Sequence, residues 1–378
     1  MKKIIFKNLL NEILIFFLVS ILTLTLIIWV IQAVNYLDLV TEDGHSFKIY
    51  FLYSLLSLPK LLSRTFLFVF FLSVFYVIIN YEEKGQLLIF WTHGVSKKEF
   101  VNRIIRFSSF FLIIQILISV FVVPFSQDKS RSFIRSSNLD FFPNLIKPNK
   151  FIDTVENLTI YIETKENNGL YKNIILKDKT NKENSQIIIA KSGSIILKDN
   201  KKVLILNNGQ MIQSNKKAQS EKNSTSFYFK ETMFDLEKYS TKTTKYPKIQ
   251  ELETLKLFNC LIFLNRNLEN KIRLESLNCE KTFLSNINQE LLKRIYQPIY
   301  ILLVALIASI LVLKSKNSKN YSKFKIKVFL SGILFIIMSE VTLNFTGVNL
   351  FYNLVFLTFP IISFFFIYQI LNHKLKIN

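Results

Sequence analysis

A polar block from Ser126 to Lys293 separates two groups of three long apolar stretches, and this interruption constrains the fold more than any motif does. Helix one, Ile13 to Val34, has about the ~20 apolar residues that a bilayer-spanning helix needs. Helices two to six are expected near 49–80, 107–125, 295–313, 328–343 and 350–371. The block between them holds no apolar run of that length. A chain so arranged is a membrane α-helical protein, three helices plus three, with a folded domain inserted on one side. The expected division is 1–125 with a cytoplasmic coupling segment at 81–100, then 126–293, then 294–378.

Charge decides which side. Lys and Arg number three in 1–12, five in 80–106, six in 314–327 and two in 374–378. The short segments 34–49 and 340–353 hold one, Lys48, against Asp38, Glu42, Asp43 and Glu340. Short cytoplasmic loops carry the excess of basic residues, so both termini face the cytoplasm and the block lies outside. The formal charge of +21 is therefore a topology signal, and nucleic acid is not an expected partner. The first 34 residues are too long for a signal-peptide core and offer no small-residue cleavage site, which reads as a retained helix.

Inside the block, segments such as LTIYIET, LYKNIILKD and KKVLILNNG are short and β-branched. Leu158, Ile160 and Ile162 alternate with Thr159, Tyr161 and Glu163, the period of a half-buried strand. Asn167-Asn168-Gly169, Ser192-Gly193 and Asn207-Asn208-Gly209 read as turns between strands. The expectation is an all-β sandwich or jelly-roll-like domain. An amphipathic helical connector, 249–290, then leads into helix four. Cys260 and Cys279 both fall in this block, where a disulfide and two unpaired thiols are equally open.

Two stretches in the membrane half carry chemistry. Pro59 interrupts helix two, and beyond it Lys60 and Arg64 stand four residues apart on one helix face. They read either as side chains that snorkel to the outer interface or as contacts for an anionic headgroup. Between helices two and three, Gln86 to Thr92 can form a short amphipathic helix stopped by Gly94, and Ser96 can cap a new helix from Lys97. Such a helix rests on lipid or presents itself to a cytoplasmic partner. Of the eight glycines no pair has Walker spacing and no GxG occurs, so the chain supplies no phosphate loop of its own. His45, His93 and His373 are dispersed. No catalytic residue, cofactor or metal is expected.

Order and spacing together resemble the LptF/LptG (YjgP/YjgQ) permeases of the lipopolysaccharide export ABC transporter, the F-type more than the G-type. QLLIFWTHGVSKKEF is similar to the family's coupling segment. Glu290-Leu-Leu-Lys-Arg294-Ile-Tyr-Gln-Pro298 is similar to its Glu-x-x-x-Arg start of helix four, and SLPKLLSRTFLFVFF to its Pro-containing second helix. The resemblance implies ATPase coupling through Gln86, Leu87, Leu88, Phe90, Trp91, Gly94 and Ser96. One position departs: the family's usual Glu eight residues before the coupling Gly is Gln86 here, and whether Glu82 and Glu83 just upstream take over its contact with the ATPase stays open. Implied partners are a homologous LptG/LptF-type permease subunit, a cytoplasmic LptB-type ATPase dimer, periplasmic LptC/LptA-type jelly-roll proteins and lipopolysaccharide, in the bacterial inner membrane. Two alternatives lose on layout. A sensor needs a cytoplasmic output domain that the chain lacks, and MacB/FtsX-like permeases place their large domain after the first helix.

Overall fold

The computed structural model describes residues 2–37, 40, 46–136, 146–155, 157–166, 169–179, 184–198, 201–215, 224–235, 248–265, 284–347 and 350–377. The chain forms two compact units. One comprises Met1–Ile31, Leu56–Lys129 and Tyr246–Asn378; the other comprises Gln32–Leu55 and Ser130–Lys245.

Among the described residues, six helical stretches are long and apolar enough to cross a membrane: Lys2–Asn35, Phe47–Glu83, Lys97–Ile134, Leu284–Leu313, Tyr321–Phe345 and Phe351–Lys374. The helices before the sheet are α1 (Lys2–Asn35), α2 (Phe47–Leu56), α3 (Leu58–Glu83), the short α4 (Gln86–Thr92) between the second and third spans, α5 (Lys97–Leu117) and α6 (Val123–Ser136). After the sheet come α7 (Thr254–Asn265), α8 (Leu284–Ile295), α9 (Tyr300–Ser309), α10 (Tyr321–Phe345) and α11 (Leu350–Ile377). Pro59 ends one helix and begins the next, because it sits in the first turn of α3, where its missing N–H costs nothing. A five-residue π segment, Ile118–Val122, joins α5 to α6.

The fourth span is the centre of the membrane unit. Its apolar window is 67 % buried, against 22 % for the first span and 17 % for the sixth. In α9 only Leu302 falls outside the fully buried set. A helix apolar on all sides belongs inside a bundle, and Ala305, Ala308 and Ser309 let neighbours approach closely. Phe70, Phe71, Ile78, Phe100 and Ile104 of α3 and α5 complete that core. Gly332 in α10 allows the tightest contact, since a Cβ there would lie 2.1 Å from the Phe71 ring.

In the second unit, strands β1 (Lys150–Val155), β2 (Leu158–Lys165), β3 (Leu170–Asp178), β4 (Asn184–Lys198), β5 (Lys201–Asn215) and β6 (Ser224–Asp235) form one antiparallel sheet. Ile152, Ile160, Leu176, Ile188, Met211 and Phe227 stand in register as a single rank across all six strands. The inserted all-β domain is present. Its described strands pair in sequential order as a meander, however, where a jelly-roll exchanges partners. Short connections favour that order: only residues 199 and 200 separate β4 from β5.

Two expected turns are corrected. Ser192-Gly193 lies inside β4, and Asn207-Asn208-Gly209 lies inside β5. Glycine serves there for close approach of neighbouring strands. A Cβ at Gly193 would sit 2.6 Å from the Ile205 carbonyl oxygen, and one at Gly209 would sit 2.3 Å from that of Ile189. The third turn, at Asn167-Asn168, lies outside the described residues, as does Cys279. Cys260 is fully buried beside Leu257 and Ile287 and is disulfide-bonded.

Candidate functional site

The short helix α4 has the bounds its sequence predicts, Gln86–Thr92. Gly85 and Gly94, both at φ +72°, are the joints on either side. Ser96 caps α5 by accepting the Glu99 amide at 3.1 Å. Seven residues give α4 two faces. Leu87 and Phe90 turn inward, each 1 % exposed. Phe90 meets Phe6 edge-on at 5.2 Å and Phe100 at 5.3 Å, while Trp91 leans on Phe100 at 5.7 Å. Leu88 and Ile89 face outward at 63 % and 46 % exposure, with Thr92 and His93 beside them. Gln86 is half-buried, and its Oε1 finds no hydrogen-bond donor among the described residues. Glu82 accepts the Lys316 amide at 2.7 Å, and Glu83 pairs with Lys325 Nζ at 2.7 Å.

A second cluster lines a cavity of about 90 Å³ between membrane-spanning helices. Lys60, Ser63 and Arg64 reach it from α3, and Gln115, Ser119 and Gln127 from α5, the π segment and α6. Gln250 closes it from the connector, Glu290, Lys293 and Arg294 from α8, and Glu340 from α10. Ser63 ties two of these walls together: Gln115 Nε2 donates to its carbonyl at 2.9 Å, and its hydroxyl is 3.1 Å from that of Ser119.

The charges are unequal. Arg294 is 2 % exposed and fully engaged. Its Nε donates to Glu290 Oε1 at 2.9 Å, Nη1 to the Leu252 carbonyl at 2.8 Å and to Thr254 Oγ1 at 3.0 Å, and Nη2 to the Gln250 carbonyl at 2.9 Å. Glu340 accepts from Gln297 at 2.7 Å. Among the described residues Lys60, Arg64 and Lys293 form no ion pair; Lys60 donates to Gln250 Oε1 at 3.3 Å. Four cations thus face two carboxylates, an excess of two positive charges in a setting where uncompensated charge is expensive.

The π segment is stabilised from the same connector. An i→i+5 turn leaves carbonyls without their usual partner, and Thr254 Oγ1 donates to the Val120 carbonyl at 2.7 Å. Thr254 therefore joins the π segment to Arg294. Pro298 is buried in the short 3₁₀ turn between α8 and α9.

A family profile described as lipopolysaccharide export system permease LptF/LptG matches residues 7–373. The chain belongs to the LptF/LptG family. It is a multi-pass membrane protein, and members of this family are permease subunits that are not themselves catalytic. It is also 24 % identical over 187 residues to "Uncharacterized protein RP871" of Rickettsia prowazekii (strain Madrid E). That match covers 50 % of this chain and 52 % of the relative, so the chain spans about half the length of the curated relative it matches.

For this LptF/LptG chain the structure sorts the predicted residues by face. Leu88 is outward, Leu87 and Phe90 are core, and Trp91 is half-buried between the two. Lys60 and Arg64 do share one cavity. Sequence reasoning missed Ile89 and the cavity groups Gln115, Ser119, Gln250 and Lys293. Ile89 sits in the motif itself, and helical spacing would have placed it beside Leu88. The cavity groups come from separate elements and carry no common spacing.

Proposed function

We propose that this chain is a permease subunit of an ABC transporter that takes lipopolysaccharide from the inner membrane toward a periplasmic bridge. The observation that carries this reading is the trio Lys60, Arg64 and Lys293, which form no ion pair among the described residues and line a cavity among membrane-spanning helices. A lipid with an anionic headgroup leaving the bilayer sideways needs such a contact, since charge-assisted hydrogen bonds to phosphate oxygens are among the strong ones. Arg64 presents a fork of donors, and Lys60 and Lys293 act as point charges on its flanks. Both termini lie in the cytoplasm and the sheet unit in the periplasm, as the distribution of basic residues supports.

Energy enters from a separate cytoplasmic ATPase dimer that docks on the outward face of α4. Leu88 and Ile89 supply the apolar contact, and Gln86 holds the position where the family has Glu. A homologous permease subunit completes the pathway, and LptC/LptA-type proteins receive the lipid outside. Helices α1 and α10 form its lateral gates against that subunit.

The test replaces Lys60, Arg64 and Lys293 together by Gln and follows newly made, labelled lipopolysaccharide between inner and outer membranes. Retention of label in the inner membrane, with normal amounts of the variant protein, is the expected result. Normal arrival at the outer membrane would sink the headgroup assignment; normal arrival after depletion of the whole chain would sink the export reading.

A further inference from the structure

The two carboxylates just upstream of α4 are already occupied within the chain. Glu82 Oε1 accepts the Lys316 amide at 2.7 Å, and Lys316 Nζ donates to the Glu83 carbonyl at 3.1 Å. Lys325 Nζ, in the second turn of α10, lies 2.7 Å from Glu83 Oε1. At the other end of α4, Lys2 Nζ in the first turn of α1 donates to the Gly94 carbonyl at 2.8 Å and lies 3.7 Å from Glu99 Oε2. Beneath it, Phe6 of α1 packs on Phe90 and Phe100. The seven-residue rod between its two left-handed glycine joints is thus held at one end by α10 and at the other by α1.

We propose that Lys325 and Lys2 are positioning residues that pass a displacement of α4 directly to α10 and α1, with Glu82 and Glu83 clasping the chain to itself instead of meeting the ATPase. The inference rests on the export reading, in which α4 receives the ATPase stroke. Magnitudes separate transmission from folding. The Lys325–Glu83 pair is 26 % and 54 % exposed, and pairs of that kind add little to stability. A large loss of transport on breaking it therefore reports a lost connection. The order of the contacts supports the same view, because the Glu82, Glu83 and Gly94 contacts lie within three residues of a glycine joint and none touches the outward face of Leu88 and Ile89.

The experiment uses the full-length chain purified with its partner subunit and ATPase from membranes, reconstituted in liposomes with purified lipopolysaccharide as the probe. Lys325→Glu should lower ATP-driven release of lipopolysaccharide by about five- to tenfold, the lower range of measured coupling between sites. The ATPase should still co-purify with that variant. Lys325→Arg should behave as wild type, and the swap Glu83→Lys with Lys325→Glu should restore most of the release. Wild-type release by Lys325→Glu, or a swap that restores nothing, overturns the clasp while leaving the export reading intact. Wild-type chain that co-purifies with no ATPase overturns the export reading and the clasp with it. A monodisperse Lys2→Ala variant should likewise release less lipid, and unchanged release would remove α1 from the proposal.

Discussion

Arg294→Met places an apolar chain of similar length where a guanidinium makes four hydrogen bonds at 2.8–3.0 Å. The Glu290 side chain is only 14 % exposed, so the substitution strands a carboxylate in poor contact with water. Breaking one partner of a buried pair costs about 3–5 kcal/mol. The Gln250 and Leu252 carbonyls and the Thr254 hydroxyl also lose their donor, at about 1 kcal/mol each when nothing replaces it. Water in the adjoining cavity recovers part of that, and Glu290 lines the same cavity. We therefore expect about 4 kcal/mol of destabilisation for Arg294→Met. Arg294→Lys keeps the charge but replaces a planar fork with one ammonium, which serves Glu290 or the connector and not both, and should cost about half as much. Reversible unfolding in mixed detergent micelles, titrated with SDS and followed by far-ultraviolet circular dichroism, measures both. A loss below about 1 kcal/mol for Arg294→Met would refute the reasoning, because a buried pair that can be halved so cheaply is not holding the connector.

Gly332→Leu should lower the melting temperature of the purified chain, since its Cβ alone would lie 2.1 Å from the Phe71 ring and overpacking typically costs about 1–3 kcal/mol. Combining it with Phe71→Ala should recover part of the loss, a non-additivity expected only of residues in contact. Thr254→Val keeps the volume but removes the donor to the Val120 carbonyl, and should destabilise by about 1–2 kcal/mol in the same micelle titration.

The sequence made the short helix α4 legible to the residue because glycine and serine punctuate it. Gly85 and Gly94 take φ +72°, a conformation other residues resist, and Ser96 caps the start of α5. Lys60 and Arg64 were readable as a pair because their spacing belongs to one helix. The same glycine signal misled inside the sheet, where Gly193 and Gly209 answer to strand packing and not to a turn. Which face of α4 is free depended on Phe6 and Phe100, residues distant in the chain. The cavity was legible only in part: Ser63 meets Gln115, and Arg294 meets Gln250, Leu252 and Thr254, through pairings separated by forty residues or more. No local periodicity encodes such meetings. Glu82 and Glu83 make the same point, for they meet Lys316 and Lys325, residues more than two hundred positions along the chain.

The π segment sets a phase. Gln115, Ser119, Val123 and Gln127, each four residues after the last, all line the cavity. At ~3.6 residues per turn a four-residue step overshoots a full turn by about 40°, so three steps would swing Gln127 about 120° away from Gln115. The wider turn at Ile118–Val122 absorbs most of that drift, because a π turn closes on more residues than an α turn. One unusual turn thus keeps Gln115, Ser119, Val123 and Gln127 of a drifting helix on the side that faces the cavity. Restoring ordinary α-helical turns there with every residue kept would leave the apolar content unchanged, yet swing the far end of the cavity-facing side about 120° from Gln115.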